Sequence, residues 1–536
     1  MSKKCIVVLG TVSVQRYIFQ SNRLKEIIGA SDLAKHWFDD GLIQAIKQTV
    51  SSLDRAAWKA YKDNPSISQS EVPESPDADV NVIYIGGGNA VLLCKNKNIA
   101  TKVVENWSLN LLKNAPGLRV AVGYGNVSES LPEAYNKAMD KLNRCEEALP
   151  CGAELGGLPV VQTCSTTGLS ASRRSKEENK REEWISHSAA SKREQVGIAK
   201  EPGKAQETIR GEFKSVLKEN QHFAIELDKL GGGEGQSYMA VVHADGNGMG
   251  ELLNEAVRDA NDDEFLHYIR AFSASVSQLS KNAFEKTMQY YQDVLPSLKG
   301  IKEHENAFPM RPIVYGGDDL TYVCDGRVGL HLTAYYLQEF AKEPIKVGGE
   351  DRHVDACAGV AIVHTKFPIA QAYRFADELC GLAKSHRDRD SGGSWLDFQI
   401  IQAGATGSVS TIRSSQYRSL EGQTLHQRPY QIPETWERFV EMLRGFQSKQ
   451  WPRSRAKSLM QALTKGPSET ERFVQAAKWR DISLPPSEED QSGWSGGDAK
   501  DCTTPYFDPL EALDFYLEDL LTTPPAKIDE GEENSE

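Results

Sequence analysis

The sequence contains no apolar run approaching the ~20 residues that a membrane-spanning helix needs. Its start, Met1-Ser2-Lys3-Lys4, leads into the strand-like Cys5-Ile6-Val7-Val8-Leu9 with no small-residue cleavage site. These absences predict a cytoplasmic protein without membrane contact. Positive charge is also short: 62 Lys and Arg stand against 75 Asp and Glu, a formal net charge of −13. Holding nucleic acid by bulk charge requires clustered cations, so the acidic balance argues against a chain that grips nucleic acid by charge alone. Five of the acids, Asp529, Glu530, Glu532, Glu533 and Glu536, crowd the final tail. Cysteine is scarce and odd in number, nine spread over the whole length, which excludes a secreted disulfide framework. The hydrophobic share of 39% and charged share of 26% exclude a disordered or fibrous chain. At ~150 residues per domain, 536 residues imply three or four domains.

What is present is a duplication. Near the start, Val80 to Ile85 and Ala90 to Cys94 flank Gly86-Gly87-Gly88-Asn89, two β-branched runs around a turn, the mark of a hairpin. In the second half, Arg311 to Tyr315 and Leu320 to Cys324 flank Gly316-Gly317-Asp318-Asp319, an offset of 230 residues between the Gly-Gly pairs. The helix openings Ala134-Tyr135-Asn136-Lys137-Ala138 and Ala372-Tyr373-Arg374-Phe375-Ala376 share a phrase at an offset of 238. Order and spacing together predict two copies of one α+β unit, at 1–147 and 237–410. A polar insertion at 148–236 separates them, and a mostly helical domain with the acidic tail follows at 411–536. Each copy starts on a strand, Cys5 to Leu9 and Tyr238 to His243. A long helix from about Glu264 to Gln292 places Phe265, Ile269, Phe272, Val276, Leu279 and Ala283 on one apolar face. Trp436, Phe439, Leu443 and Phe446 recur at helical spacing and are read as bundle core. The mixed-charge run around Arg173, Arg174, Lys192 and Arg193 is read as a solvated helix or mobile loop.

The chemistry lies in the second copy. Gly316-Gly317-Asp318-Asp319 sets two carboxylates at a turn, and Asp245 ends the strand Met239 to Ala244. If that strand lies beside the hairpin, three carboxylates share one sheet edge. Unpaired carboxylates raise one another's pKa, so such a cluster makes most sense around divalent cations, and hard oxygen ligands select Mg²⁺ or Mn²⁺. Two such ions ~4 Å apart suit in-line phosphoryl transfer. The first copy has Gly88-Asn89 at its hairpin and Gly10-Thr11-Val12 after its first strand. It repeats the shape without the carboxylates, so the second copy is read as catalytic.

These residues carry a family resemblance. Arg23 to Ser31 and Gly86-Gly87-Gly88 match in the first copy. In the second, Asp245-Gly246-Asn247-Gly248-Met249-Gly250, Gly316-Gly317-Asp318-Asp319, Ala358 to Ile362, Ala376-Asp377-Glu378-Leu379, Ala383-Lys384 and Leu396-Asp397-Phe398 match. The sequence resembles the large subunit of type III CRISPR effector complexes, the CRISPR-associated protein ten family. The resemblance implies two ferredoxin-like palm domains and polymerisation of ATP into short, usually cyclic oligoadenylate messengers of antiviral defence. Activation would come from target RNA captured by a guide RNA complex, with a helical small subunit and RNA-binding backbone proteins as partners. Carried over by position, Asp245, Asp318, Asp319 and the Gly246 carbonyl hold the metals. Gly316 and Gly317 leave backbone clearance for the triphosphate, Asn247 stands beside the site, and Lys384 faces the triphosphate.

Three departures follow. No His-Asp nuclease domain precedes residue 4, so single-strand DNase activity is expected to be absent. The family's Asp-x-Asp reads Asp245-Gly246-Asn247, one charge fewer. In and beside the insertion stand only Cys145, Cys151 and Cys164, with His187 as a distant fourth candidate, so plain thiols are expected rather than structural zinc. The alternatives are another palm enzyme, such as a dinucleotide cyclase of the Gly-Gly-Asp-Glu-Phe type, and a non-catalytic scaffold subunit.

Overall fold

The computed structural model describes residues 3–73, 75, 77–128, 130–149, 160–176, 182–198, 201–230, 238–301, 306–387, 392–402, 407–485, 492–495 and 502–522. In the first unit, strands β1 (Cys5–Thr11), β2 (Leu53–Asp54), β3 (Val80–Gly86), β4 (Asn89–Cys94) and β5 (Val120–Asn126) form one sheet in the order β2-β3-β4-β1-β5. β4 and β5 flank β1 and run antiparallel to it. The stretch from Leu24 to Thr49 forms two helices, α1 (Leu24–Phe38) and Asp40–Thr49, with Asp39 as the residue between them. Helix α2 (Leu131–Ala148) covers β1 and β5.

The insertion is solvated only in part: Arg173, Arg174 and Lys176 are exposed, as their charges suggested. Its helix α3 (His187–Val196) packs on α1, with Lys192 and Arg193 buried. Contact is at backbone distance: a Cβ on Gly29 would lie 1.8 Å from the Lys192 carbonyl oxygen. The Lys192 ammonium donates to the Tyr17 carbonyl at 2.8 Å and to Gln20 Oε1 at 3.0 Å. Arg193 pairs with Glu26 at 2.6 Å and Glu183 at 2.7 Å, and Arg23 also reaches Glu183 at 2.7 Å. Burial would raise the Glu183 carboxyl, but the Ser165 hydroxyl and these guanidinium groups hold it down at about 2. A linear charge pattern cannot tell a solvated run from cations that find buried partners far away in sequence.

In the second unit, β6 (Tyr238–Gly246), β7 (Met310–Gly316), β8 (Asp319–Asp325), β9 (Ala356–His364), β10 (Ser394–Ile400) and β11 (Tyr430–Ile432) form a sheet ordered β7-β8-β6-β9-β10-β11. The first four repeat the β3-β4-β1-β5 arrangement of the first unit. Both hairpins slip register at the same place, between Val82 and Tyr84 and between Pro312 and Val314, again 230 residues apart. The long helix α4 (Asp262–Val294) buries all six predicted apolar residues and opens with a capping box between Asn261 and Glu264. Helix α5 (Ile369–His386) lies on β9. The shared Ala-Tyr-x-x-Ala phrase now has a physical cause. The carbonyl of Ala138 would lie 1.9 Å from a Cβ on Gly123, and that of Ala376 2.0 Å from one on Gly359. In both units, helix and strand meet where a glycine leaves room.

The units face each other. The Phe19 and Tyr373 rings stack at 3.8 Å, Asp262 Oδ1 accepts from the Leu131 amide at 2.7 Å, and a Cβ on Gly317 would lie 3.6 Å from the Gly87 Cα. The hairpin tips thus meet. In the C-terminal region the helices Glu434–Phe446, Arg453–Lys465 and Pro467–Lys478 bury Trp436, Phe439, Leu443 and Phe446, as their spacing predicted. Its β11, however, belongs to the second sheet, so the boundary expected at 410 cuts across a shared sheet. Among the described residues no helix is long and apolar enough to cross a membrane.

Candidate functional site

The carboxylates meet because of strand register. Ala244 of β6 pairs with Leu320 of β8, so Asp245 and Asp319 come next on adjacent strands at the same sheet edge. Asp318 is the second residue of the two-residue turn joining Gly316 to Asp319. Gly317 takes φ 72° and Asp318 avoids positive φ, the pattern of a type II′ turn. In the first hairpin Gly87 and Gly88 take φ 59° and 74°, the pattern of type I′. Register matches the copies residue by residue: Gly10 pairs with Asn89 where Asp245 meets Asp319, and Gly88 stands for Asp318.

A reciprocal exchange of size separates the two copies. A Cβ on Gly246 would lie 2.9 Å from the Asp318 Cβ, so the bare backbone at 246 makes room for Asp318. In the first copy the equivalent of Gly246 is Thr11, and a Cβ on Gly88 would lie 2.7 Å from its hydroxyl.

The electrostatics are those of crowded acids. Burial and the neighbouring Asp245 push the Asp318 carboxyl up to about 6. Burial also raises Asp319, partly offset by His243. Asp319 Oδ2 accepts from Gln15 Nε2 of the first unit at 3.0 Å. Its Oδ1 is buried without a hydrogen bond, and His243 Nδ1 stands 3.4 Å away. His243 Nε2 is 3.5 Å from Asp377 Oδ1, and Nδ1 is 3.2 Å from the Thr321 hydroxyl.

Lys384 arrives from α5, but on a carboxylate. Its ammonium donates to Asp245 Oδ2 at 2.6 Å and to the Gly246 carbonyl at 3.2 Å. Asp245 outweighs burial and raises the Lys384 pKa. Among the described residues, no three His, Cys, Asp or Glu side chains are drawn together as metal ligands; Asp245 is turned to Lys384 instead. The donor set nevertheless fits a hard cation: carboxylate and carbonyl oxygens, one carboxylate oxygen buried without a partner, and a carboxyl raised by burial and by its acidic neighbour.

Asn247 does not join the cluster. It is buried, and its amide donates to Asp355 Oδ1 at 2.6 Å. Asp355 also takes Arg387 Nε at 2.9 Å and the Gly393 amide at 2.9 Å. An Asp at 247 would set two carboxylates against each other, which accounts for the missing charge. Gly316 keeps open space where a Cβ would stand. Sequence reading missed Gln15, His243 and Asp355. His243 was within reach, two residues before Asp245 on one strand and so on the same face. Gln15 gave no signal, since 304 residues separate it from Asp319.

Of the zinc candidates, Cys151 lies outside the described residues. Cys164 is buried beside the Thr166 hydroxyl at 3.4 Å. Burial alone would raise its thiol, but hydrogen bonds from Thr166 and Thr167 outweigh it and bring the pKa to about 6. His187 is exposed, with Nε2 3.3 Å from the Lys113 carbonyl.

Residues 238–392 match the family model of Cas10/Cmr2, second palm domain. No curated protein matches the chain. Among solved structures, Csm1 in T. onnurineus is similar at 12% identity and a TM-score of 0.52, over 97% of this chain and 69% of that one. The Csm1–Csm4 cassette in complex with AMPPNP matches at 14% identity and 0.52, over 97% and 69%. The same cassette in complex with cA4 matches at 13% and 0.52, over 96% and 70%. At these identities the likeness is one of fold.

Proposed function

Because residues 238–392 are a second palm domain of the Cas10/Cmr2 kind and the chain resembles the large subunit of type III CRISPR effector complexes, we propose that it polymerises ATP into oligoadenylates, linear or cyclic. One observation carries this reading. Asp245, Asp318 and Asp319 stand at one sheet edge, while the register-equivalent places of the sister unit hold Gly10, Gly88 and Asn89. A fold kept only as a scaffold gives no reason for one copy to retain three mutually repelling acids.

Asp245, Asp318, Asp319 and the Gly246 carbonyl would hold two Mg²⁺ or Mn²⁺ ions, which when bound neutralise charge on the phosphate oxygens. The remaining work belongs to the chain. Gly316 and Gly317 keep side chains away from the triphosphate, and Lys384 adds a positive charge beside it. The tip at Gly87 bounds the site from the first palm. The 3′-hydroxyl of one ATP gives up its proton to water as its oxygen bonds to the α-phosphorus of the next, and the bond from that phosphorus to the pyrophosphate oxygen breaks. Holding the two nucleotides in line is the main catalytic device for such chemistry. The first palm is 1–147, the insertion 148–236, and the catalytic palm begins at 237 and takes β11 into its sheet, with the rest of the C-terminal region mostly helical. Partners are a helical small subunit and RNA-binding backbone proteins, in the cytoplasm, with target RNA on the guide complex as the activator. The fold match to Csm1 chains solved with Csm4 and with AMPPNP or cA4 supports this assignment.

Mass spectrometry of products from ATP and Mn²⁺, with and without the RNA-loaded partner complex, tests the reading. Oligoadenylates lost on Asp318→Ala/Asp319→Ala substitution are expected, with a rate drop of at least about a hundredfold. A guanine dinucleotide as sole product, or product unaffected by the double substitution, would overturn it.

A further inference from the structure

We infer that Gln15 of the first palm is the positioning residue that aims Asp319 of the second at its cation; this rests on Asp319 being a metal ligand. Gln15 Nε2 donates to Asp319 Oδ2 at 3.0 Å, and Oδ1 is buried without a hydrogen bond, with His243 Nδ1 at 3.4 Å. A carboxylate only accepts, so the amide must present its NH₂. A carboxylate held at one oxygen cannot rotate freely, and the other oxygen then keeps a fixed direction.

The chemistry of the donor matters as much as its place. An amide fixes the carboxylate without neutralising it, so the full negative charge stays available to a cation. The contrast lies next door, where the Lys384 ammonium neutralises Asp245 at 2.6 Å. A lysine or arginine at 15 would bring a positive charge against the incoming metal.

Gln15 is itself held by the contact between palms. It sits on the short helix Val14–Ile18, which opens at Ser13 in the left-handed region at φ 52°. The Phe19 amide closes this turn on the Gln15 carbonyl at 2.8 Å, and the Phe19 ring stacks on Tyr373 at 3.8 Å. Ser13 is the register-equivalent of Gly248, which opens Met249–Val257 at φ 67°. The same loop-to-helix turn therefore follows each first strand. In one copy the strand leading to it carries the metal-ligand Asp245; in the other the helix reaches across to support the partner's ligand. The palm without carboxylates thus supplies a necessary part of the site.

The test uses the full chain with Gln15→Leu, which keeps size and removes the donor, and Gln15→Glu, which keeps shape and replaces the donor by an acceptor. Mn²⁺ binding is read by electron paramagnetic resonance, and kcat and KM for ATP separately. About tenfold weaker Mn²⁺ binding is expected for Gln15→Leu and a larger loss for Gln15→Glu, with kcat falling more than KM rises. Melting temperatures should match the parent within a few degrees. If Gln15→Glu binds Mn²⁺ as the parent does, or if the parent binds none, the inference is overturned. Mn²⁺ binding that fails with these variants while no oligoadenylate forms from the parent would sustain Gln15 and reject the proposed reaction instead.

Discussion

At the scale of single residues, the molecule places acids where water is scarce. Asp32 on α1 shows the consequence away from the site. Burial raises its carboxyl to about 6, opposed by Lys204 and Lys35 and helped by Glu212, and its Oδ2 has no hydrogen bond. The unfolded value is about 3.9. The folded state therefore holds a proton that the unfolded state has released between those two values. Stability from this group is complete below about pH 4 and lost as pH rises through about 6. Asp32→Asn should stabilise the protein by about 1–3 kcal/mol at pH 7.5 and leave it unchanged at pH 4. Urea unfolding at the two pH values measures this; the same gain at both would show that charge is not the cause.

At the scale of elements, the two hairpins are one design with opposite fillings. Gly246 is empty so that Asp318 fits, and Gly88 is empty because Thr11 fills that space. Gly246→Ala would put a methyl 2.9 Å from the Asp318 Cβ and 2.7 Å from Met249 Cε. If the proposed function holds, it should lower oligoadenylate synthesis at least about tenfold, since the displaced side chain is a proposed metal ligand. Gly88→Asp would meet the Thr11 hydroxyl at 2.7 Å and force φ 74° on an aspartate. It should cost about 1–3 kcal/mol and add no activity, and Thr11→Gly in the same chain should recover part of that loss. Equal stability of the single and double variants in denaturant would remove the steric argument.

At the scale of the whole molecule, distant segments are joined through buried charge. Arg428 is fully buried, donates to Asp508 at 2.7 Å and to Glu511 at 2.5 Å, and also reaches the Phe398 carbonyl of β10 at 2.8 Å. It therefore fastens the C-terminal segment to the sheet that carries Asp245 and Asp319. Arg428→Ala leaves Asp508 buried and unpaired, so a loss of about 3–5 kcal/mol is expected. A loss under about 1 kcal/mol in chemical denaturation would show that this network does not hold the regions together.

Much of this was legible in the residues themselves. Strand, turn and helix signals are local, so the two hairpins, the long amphipathic helix and the duplication followed from spacing. Adjacent acids at a turn and a lone Asp ending a strand named the candidate cluster, because chain geometry leaves few places for them. Local pattern could not show which distant groups a charge would find. Lys192 and Arg193 read as solvated until α1 supplied Glu26 and the short helix Val14–Ile18 supplied the Tyr17 carbonyl. Asn247 reads from its position as a neighbour of the site, and only the fold shows that its amide is taken by Asp355. The sequence alone determined which copy carries the acids and which side chains could act. Tertiary structure alone decided that Lys384 lies on Asp245 and that Gln15 crosses from the other palm to Asp319. The reason is physical: backbone preferences act over a few residues, whereas a hydrogen bond is set by distance in space, however long the chain between its partners.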